Sequence, residues 1–250
     1  MQIVSLCDVA ATVAWGLHAP TRAMLDLMHP EAYALGHIVA EQRRWLGLAP
    51  CPVWNLPRPL VMLVGAVADG LGLLGWRSPA RSTAFAQLAA APVGDPAAWI
   101  AASGIEPKSL ADIFAAAPAT VQDRWFARLY FLKPAILAGL SALFIMTGLV
   151  SLGPGWHDGM ALLAPAGLFP PIAAAIIVGG AILDIALGLA LLVRRTARLT
   201  LLIMLALSVI YLVIATALDP HLWADPLGRL LKTLPLMLLM LVALATLDER

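Results

Sequence analysis

The chain has 250 residues, of which 61% are hydrophobic and only 12% charged, and its mean hydropathy is +0.88. A typical soluble domain is about 25% charged, so this composition argues against an ordinary water-soluble protein. The net charge of +1 leaves no basic excess of the kind that nucleic-acid binding needs.

The first 130 residues read as a mostly helical, non-membrane region. Residues 2–5 predict a short strand. Residues 8–17 predict a helix with Asp8 near its start, and because this stretch also lacks a basic beginning, no signal peptide is expected. Residues 30–46 predict a helix with Tyr33, Leu35, His37/Ile38 and Val39 facing inward and the basic pair Arg43 and Arg44 near its end. A proline-rich connector over 52–59 leads to an apolar helix at 60–74, which residues 76–79 break. That helix is shorter than a membrane span, and Asp69, Gly65, Gly70 and Gly72 interrupt it. It is expected to lie flat or to be buried in the non-membrane part. Short helices are predicted at 83–90, 96–102 and 110–116, and Pro118 opens a last one through Arg124 and Arg128. Cys7 and Cys51 have no Cys-x-x-Cys spacing, so free thiols are expected.

Gly70, Gly72 and Gly75 match the glycine spacing of dinucleotide-binding loops. That spacing has chemical content only after a strand and before a helix, where backbone amides meet a pyrophosphate. Here an apolar helix precedes it and Trp76-Arg77-Ser78-Pro79 follows, which predicts a helix end instead.

The second half is different in kind. Four apolar runs, 134–152, 170–193, 199–218 and 230–247, each approach the roughly 20 residues needed to cross about 30 Å of hydrocarbon. Between 134 and 193 only Asp158 and Asp184 can carry a full charge, with His157 beside the first. Pro134 and Pro235 fall near the starts of the first and last runs, where a lost N–H is harmless. Arg124, Arg128 and Lys133 precede the first run, and Arg194, Arg195 and Arg198 join the second to the third. The outer loops offer only Arg229 and Lys232. This asymmetry predicts both termini in the cytoplasm.

Two groups of polar residues stand out. Asp184 lies about ten residues from the cytoplasmic end of the second run, about 15 Å deep at 1.5 Å per residue. A charge there costs about 2.5 kcal/mol or more, so Asp184 must face other helices and find hydrogen-bond partners, or stay protonated. Gly180 and Gly188 share its face and let a neighbouring helix approach. Ser208 and Tyr211, three apart on the third run, are the expected partners, and Ser141 and Thr147 on the first run are further candidates. Two readings follow: a structural acid that fixes helix register, or a proton-handling or ligand-binding carboxylate. The second group is Asp219, His221, Trp223, Asp225 and Lys232 at the outer face, with His157 and Asp158 in the other outer loop. No His-x-x-x-His spacing supports a metal. Asp225-Pro226 predicts an N-cap and first turn, Trp223 an interfacial anchor, and Lys232 a partner for Asp225 or Asp219. A small-ligand or quinone-headgroup site using Trp223, Asp225 and Lys232 is the functional alternative.

Several islands together carry a resemblance. Residues Val4-Ser5-Leu6-Cys7-Asp8-Val9-Ala10, Arg43-Arg44-Trp45-Leu46-Gly47-Leu48, Leu74-Gly75-Trp76-Arg77-Ser78-Pro79 and Asp123-Arg124-Trp125-Phe126-Ala127-Arg128-Leu129-Tyr130 resemble the C-terminal part of extended short-chain dehydrogenases of the NAD-dependent epimerase type. Residues Leu222-Trp223-Ala224-Asp225-Pro226-Leu227-Gly228, with Lys232 and Pro235, resemble the end of a DoxX-like membrane domain. The resemblance therefore implies a dehydrogenase–DoxX fusion lacking its nucleotide-binding half. The dehydrogenase motif Tyr-x-x-x-Lys is absent, since the residues four beyond Tyr33, Tyr130 and Tyr211 are His37, Pro134 and Ala215. Hydride transfer needs a held nicotinamide and a group to move the proton, so no catalytic residue is assigned.

The expected architecture is mainly α: a four-helix transmembrane bundle at 133–250, preceded at 1–132 by an incomplete, mostly helical cytoplasmic domain with a short N-terminal strand. The resemblance implies an inner-membrane, redox-associated module that anchors a dehydrogenase-type domain. Quinone is the cofactor this analogy allows, and NAD(P) would enter only through a partner chain or domain. The alternatives are a small proton-coupled transporter or channel built round Asp184, and one half of an NAD(P)-dependent oxidoreductase completed by a partner. Residues 1–130, lacking partners for the strand, are expected to pack loosely or to need a second chain.

Overall fold

The computed structural model describes residues 1–19, 22–76, 78–90, 93–226 and 228–247. Arg77 and Leu227, which belong to two of the resembling islands, lie outside the described residues. The chain divides into two compact units, one formed by Met1–Gly70 with Arg77–Arg128, the other by Leu71–Trp76 with Leu129–Arg250. Every regular element among the described residues is helical.

The first unit contains α1 (Leu6–His18), α2 (Leu35–Trp45), α3 (Arg58–Leu73, whose last residues belong to the second unit), α4 (Ser82–Ala90), α5 (Ala97–Ser103), α6 (Leu110–Ala116) and α7 (Val121–Leu129). It is held by buried polar contacts as much as by a hydrophobic centre. Ser5 caps α1 by accepting from the Asp8 amide. Asp8 is 4% exposed and accepts from the Lys108 amide, while Thr12 donates to the Asp8 carbonyl and accepts from the indole of Trp99. Trp99 is fully buried. Helix α6 opens with a capping box of Ser109 and Asp112.

Two expectations for this unit are corrected. Residues 2–5 do not form a strand. The chain there pairs with an irregular segment, with Tyr33 N–H donating to Met1 O at 2.8 Å and His29 N–H to Ile3 O at 2.6 Å. No extended segment lies alongside to continue a ladder, and Ser5 turns into a helix cap. The same pairing shortens the helix expected at 30–46. Residues 30–34 are drawn out to meet the N-terminus, and α2 starts only at Leu35. Tyr33 is buried and stacks on His37, but Leu35 and Val39, expected inside, are 48% and 43% exposed.

The glycine pattern at 70–75 closes a helix, as its context suggested. Gly70 and Gly72 lie within α3, and Gly75 follows it at φ +87°, a conformation that glycine adopts without a Cβ penalty.

The second unit contains α8 (Leu132–Leu152), α9 (Trp156–Leu163), α10 (Pro170–Leu191), α11 (Ala197–Leu218) and α12 (Thr233–Ala245), with a short 3₁₀ turn at Pro220–Ala224. Helices α8, α10 and α11 are long and apolar enough to cross a membrane, and the expected runs match them closely. The expected fourth run, 230–247, is helical only over the 13 residues of α12, about 20 Å against a hydrocarbon layer of about 30 Å. Gly228 at φ +63° donates to Asp225 O, and successive turns occupy the residues up to Lys232, so the helix begins late.

Helix α8 packs along α10, α10 against α11, α11 against α12, and α12 returns to α8. Leu140, Leu191, Leu201, Met204, Met240 and Leu247 are buried at the centre. Glycine sets the closest approach. A Cβ on Gly188 would stand 2.8 Å from Ser141 O, and one on Gly148 would stand 2.5 Å from Ala181 O, so α8 and α10 meet backbone to backbone. Ser141 hydroxyl donates to Gly188 O at 2.7 Å across this seam. Beyond the end of α12, Leu247 O accepts from Lys133 Nζ at 3.4 Å and from Arg194 at 2.7 Å, cations placed where the negative end of a helix favours them.

Candidate functional site: an acidic cavity within the apolar unit

Apolar side chains such as Ile182, Leu189 and Val213 are 57%, 53% and 61% exposed on the outside of the long helices, whereas Ser141, Asp184, Thr200 and Ser208 are buried among them. That inside-out distribution suits a hydrocarbon surrounding, since polar groups in lipid must find their contacts within the protein.

Asp184 is only 5% exposed. It lines a cavity of about 240 Å³ together with Ser208 and Tyr211 of α11, Thr147 and Phe144 of α8, and Thr233 at the first turn of α12. Asp184, Ser208 and Tyr211, grouped from the sequence as an intramembrane polar site, line this one cavity. The expected hydrogen bond is not the arrangement found, because Asp184 Oδ1 is buried without a hydrogen-bond partner. Gly180 explains the position of the tyrosine, since its missing side chain leaves room for the Tyr211 hydroxyl, which lies 3.2 Å from where a Cβ would stand. Thr147, singled out as a candidate, donates its own hydroxyl to Leu143 O at 2.8 Å, a local bond that leaves its oxygen able to accept. Phe144 and Thr233 were not anticipated. Phe144 carried no signal beyond apolarity, and Thr233 was hidden in what read as the interior of an uninterrupted span.

The outer-face group is less convergent. Asp219 caps the Pro220–Ala224 turn by accepting from the His221 amide at 3.1 Å. Trp223 donates its indole N–H to Thr216 at the end of α11, at 3.1 Å, which fastens the turn to that helix. Asp225 pairs with Arg229 at 3.0 Å, not with Lys232, whose place is the N-cap position of α12. The helix start expected at Asp225-Pro226-Leu227 includes Leu227, outside the described residues; among the described residues Gly228 N–H donates to Asp225 O, and the next helix begins at Thr233. Among the described residues no group of three or more His, Cys, Asp and Glu side chains converges as a metal site would.

At the opposite end of the unit, Trp76 donates its indole N–H to Leu192 O at 2.6 Å, and the Arg194 guanidinium stacks 5.6 Å from its ring centroid. Arg194 N–H in turn donates to Leu74 O. The sequence placed these residues separately, as a helix break and as a basic loop, and gave no sign that they meet.

Three long apolar helices with polar groups turned inward define the class: a multi-pass membrane protein. Within it, residues 141–241 match the model of the DoxX-like family. No curated protein and no solved structure matches the chain.

Proposed function

We propose that the chain is a membrane-anchoring, redox-associated module of the inner membrane that holds a dehydrogenase-type nucleotide-binding domain at the bilayer and is not catalytic alone. In this reading α12 and the turn before it complete a four-helix bundle with both termini in the cytoplasm. The ring of packing from α8 through α10, α11 and α12 supports this, as does the excess of Arg and Lys at one end of the spans. A partner nucleotide-binding half would supply NAD(P), and a quinone would link the module to a respiratory or thiol redox system. That step rests on family analogy.

One observation carries the anchoring role. Helix α1 is turned inside out: it buries Ser5, Asp8 and Thr12 at its start and along one side, while Leu6, Val13 and Leu17 are 84%, 61% and 80% exposed along another. Positions 6, 13 and 17 share one helical face, so this is a continuous apolar stripe outside the membrane helices. A partner domain would cover it. Cys7 is exposed next to Leu6 and provides a natural reporter. Cysteine-directed cross-linking through Cys7 in native membranes, followed by mass spectrometry, is expected to capture a nucleotide-binding dehydrogenase chain. Repeated capture of no such protein from membranes that hold the intact chain would remove the anchoring role.

A second reading is favoured by Asp184, a buried residue that lines a cavity and has one oxygen without a hydrogen-bond partner. It makes the unit a small proton-coupled transporter or channel. Solute flux in proteoliposomes that Asp184→Asn abolishes supports it, and flux unaffected by that substitution excludes it.

A further inference from the structure

We propose that the cavity around Asp184 is a binding site for a small primary ammonium compound, a molecule with one –NH₃⁺ group on a short apolar body. The inference deepens the second reading but concerns binding alone, and it holds whether or not the ligand is carried across.

The unpartnered oxygen is the first support. A buried acceptor left without a donor costs about 1–3 kcal/mol, more if charged, and native proteins leave few such groups. Asp184 Oδ1 is one of these, and it belongs to a residue that lines an open volume of about 240 Å³. The volume is several times the roughly 30 Å³ share of a liquid water, so it admits an organic group.

The lining decides the chemistry. Among the described residues that line the cavity, Asp184 is the only carboxylate and none is Lys, Arg or His. An anion would meet uncompensated repulsion there, and a ligand bearing N–H donors and positive charge would meet the Asp184 carboxyl group. Ser208 and Tyr211 add hydroxyl-bearing side chains to the same lining, and hydroxyl oxygens accept from a three-donor ammonium. Phe144 and Tyr211 supply aromatic surface, which attracts cations, and Leu143 and Leu236 supply apolar walls for a short alkyl body. A bare metal cation fits less well, because hard cations take six or more oxygen ligands and most of this lining is hydrocarbon.

The test uses the full chain in phosphatidylcholine nanodiscs, with n-butylammonium chloride as the probe, n-butanol as its neutral counterpart and empty nanodiscs as the blank. Binding is read by saturation-transfer NMR and by calorimetric titration. Saturable butylammonium binding is expected, weakened tenfold or more by Asp184→Asn, with butanol insensitive to the substitution. Tyr211→Phe keeps the ring and is expected to weaken binding less than tenfold, which gives a second variant should Asp184→Asn fold poorly. No saturable binding to the wild-type chain overturns the proposal, and so does equal affinity in a folded Asp184→Asn protein or, failing that variant, a Tyr211→Phe protein indistinguishable from wild type. Binding without flux in proteoliposomes retains the site and removes the transporter.

Discussion

The two units expose apolar side chains to a similar degree, for opposite reasons. In the second unit Ile182, Leu189 and Val213 stand outward on helices of 22 residues, and lipid covers them. In the first unit Leu6 and Leu17 stand outward on a 13-residue helix whose buried side is polar, and lipid around a span cannot be the explanation. Their interiors differ correspondingly. The second unit closes on glycine contacts and leucine, whereas the first closes on a chain of hydrogen bonds from Lys108 to Asp8 and from Trp99 to Thr12. An exposed leucine therefore has no fixed meaning until the helix's length and its buried face are known.

The contrast can be broken most strongly at Trp99. Trp99→Ala removes a fully buried indole and its bond to Thr12, and is expected to cost about 3–5 kcal/mol. Hydrogen exchange should then rise across α1 and α5 while protection in α8, α10 and α11 is unchanged. Equal loss in both units would show that they do not hold themselves together separately.

In the membrane unit the comparable position is Gly148. Gly148→Ala brings a Cβ to 2.5 Å from Ala181 O, and overpacking of this kind costs about 1–3 kcal/mol. Gly139→Ala, with open space around the position, is expected to leave denaturation in detergent unchanged. A similar loss from both substitutions would mean that the α8–α10 seam is not where the unit is closed.

The α1 stripe should behave in the opposite manner. Leu17→Ser is expected to change stability by no more than about 0.5 kcal/mol, because the side chain is 80% exposed, yet to abolish capture of a partner through Cys7. Large destabilisation without loss of capture would assign the stripe to folding.

The smallest effect sharpens the comparison at helix starts outside the membrane. The Thr120 hydroxyl and amide beside Asp123 hold its carboxyl below the usual carboxylate range, as Ser109 does for Asp112. Because the folded value is the lower one, this contribution is complete above the ordinary carboxylate range and fades as pH falls through the depressed folded value. Carbon-detected NMR titration should show Asp123 returning toward the ordinary range in Thr120→Val.

What the sequence disclosed follows from how locally each feature is encoded. The long helices were legible because charge is depleted over some 20 consecutive residues, a property that needs no tertiary information. Helix α12 was not, because a single left-handed Gly228 and the turns after it consume the start of an apolar run that reads as continuous. The strand at 2–5 failed because pairing depends on what lies alongside, and residues 29–33 offered only an irregular segment. Depth and face grouped Asp184, Ser208 and Tyr211, which line one cavity, but the absence of a bond to Asp184 Oδ1 depends on distances that spacing does not encode. Trp76 and Arg194, separated by more than a hundred residues, meet only in the folded chain.

The central claim is that hydrocarbon surrounds the second unit. Single spin labels at Ile182→Cys and Leu189→Cys, in protein with Cys7 and Cys51 replaced by serine and reconstituted into bilayers, test it by collision with oxygen and with a water-soluble nickel complex. Oxygen is expected to dominate at both positions, and nickel at Asp158→Cys on α9, between the long helices in sequence. Nickel access at Ile182 equal to that at Asp158 would place water against α10 and contradict the account.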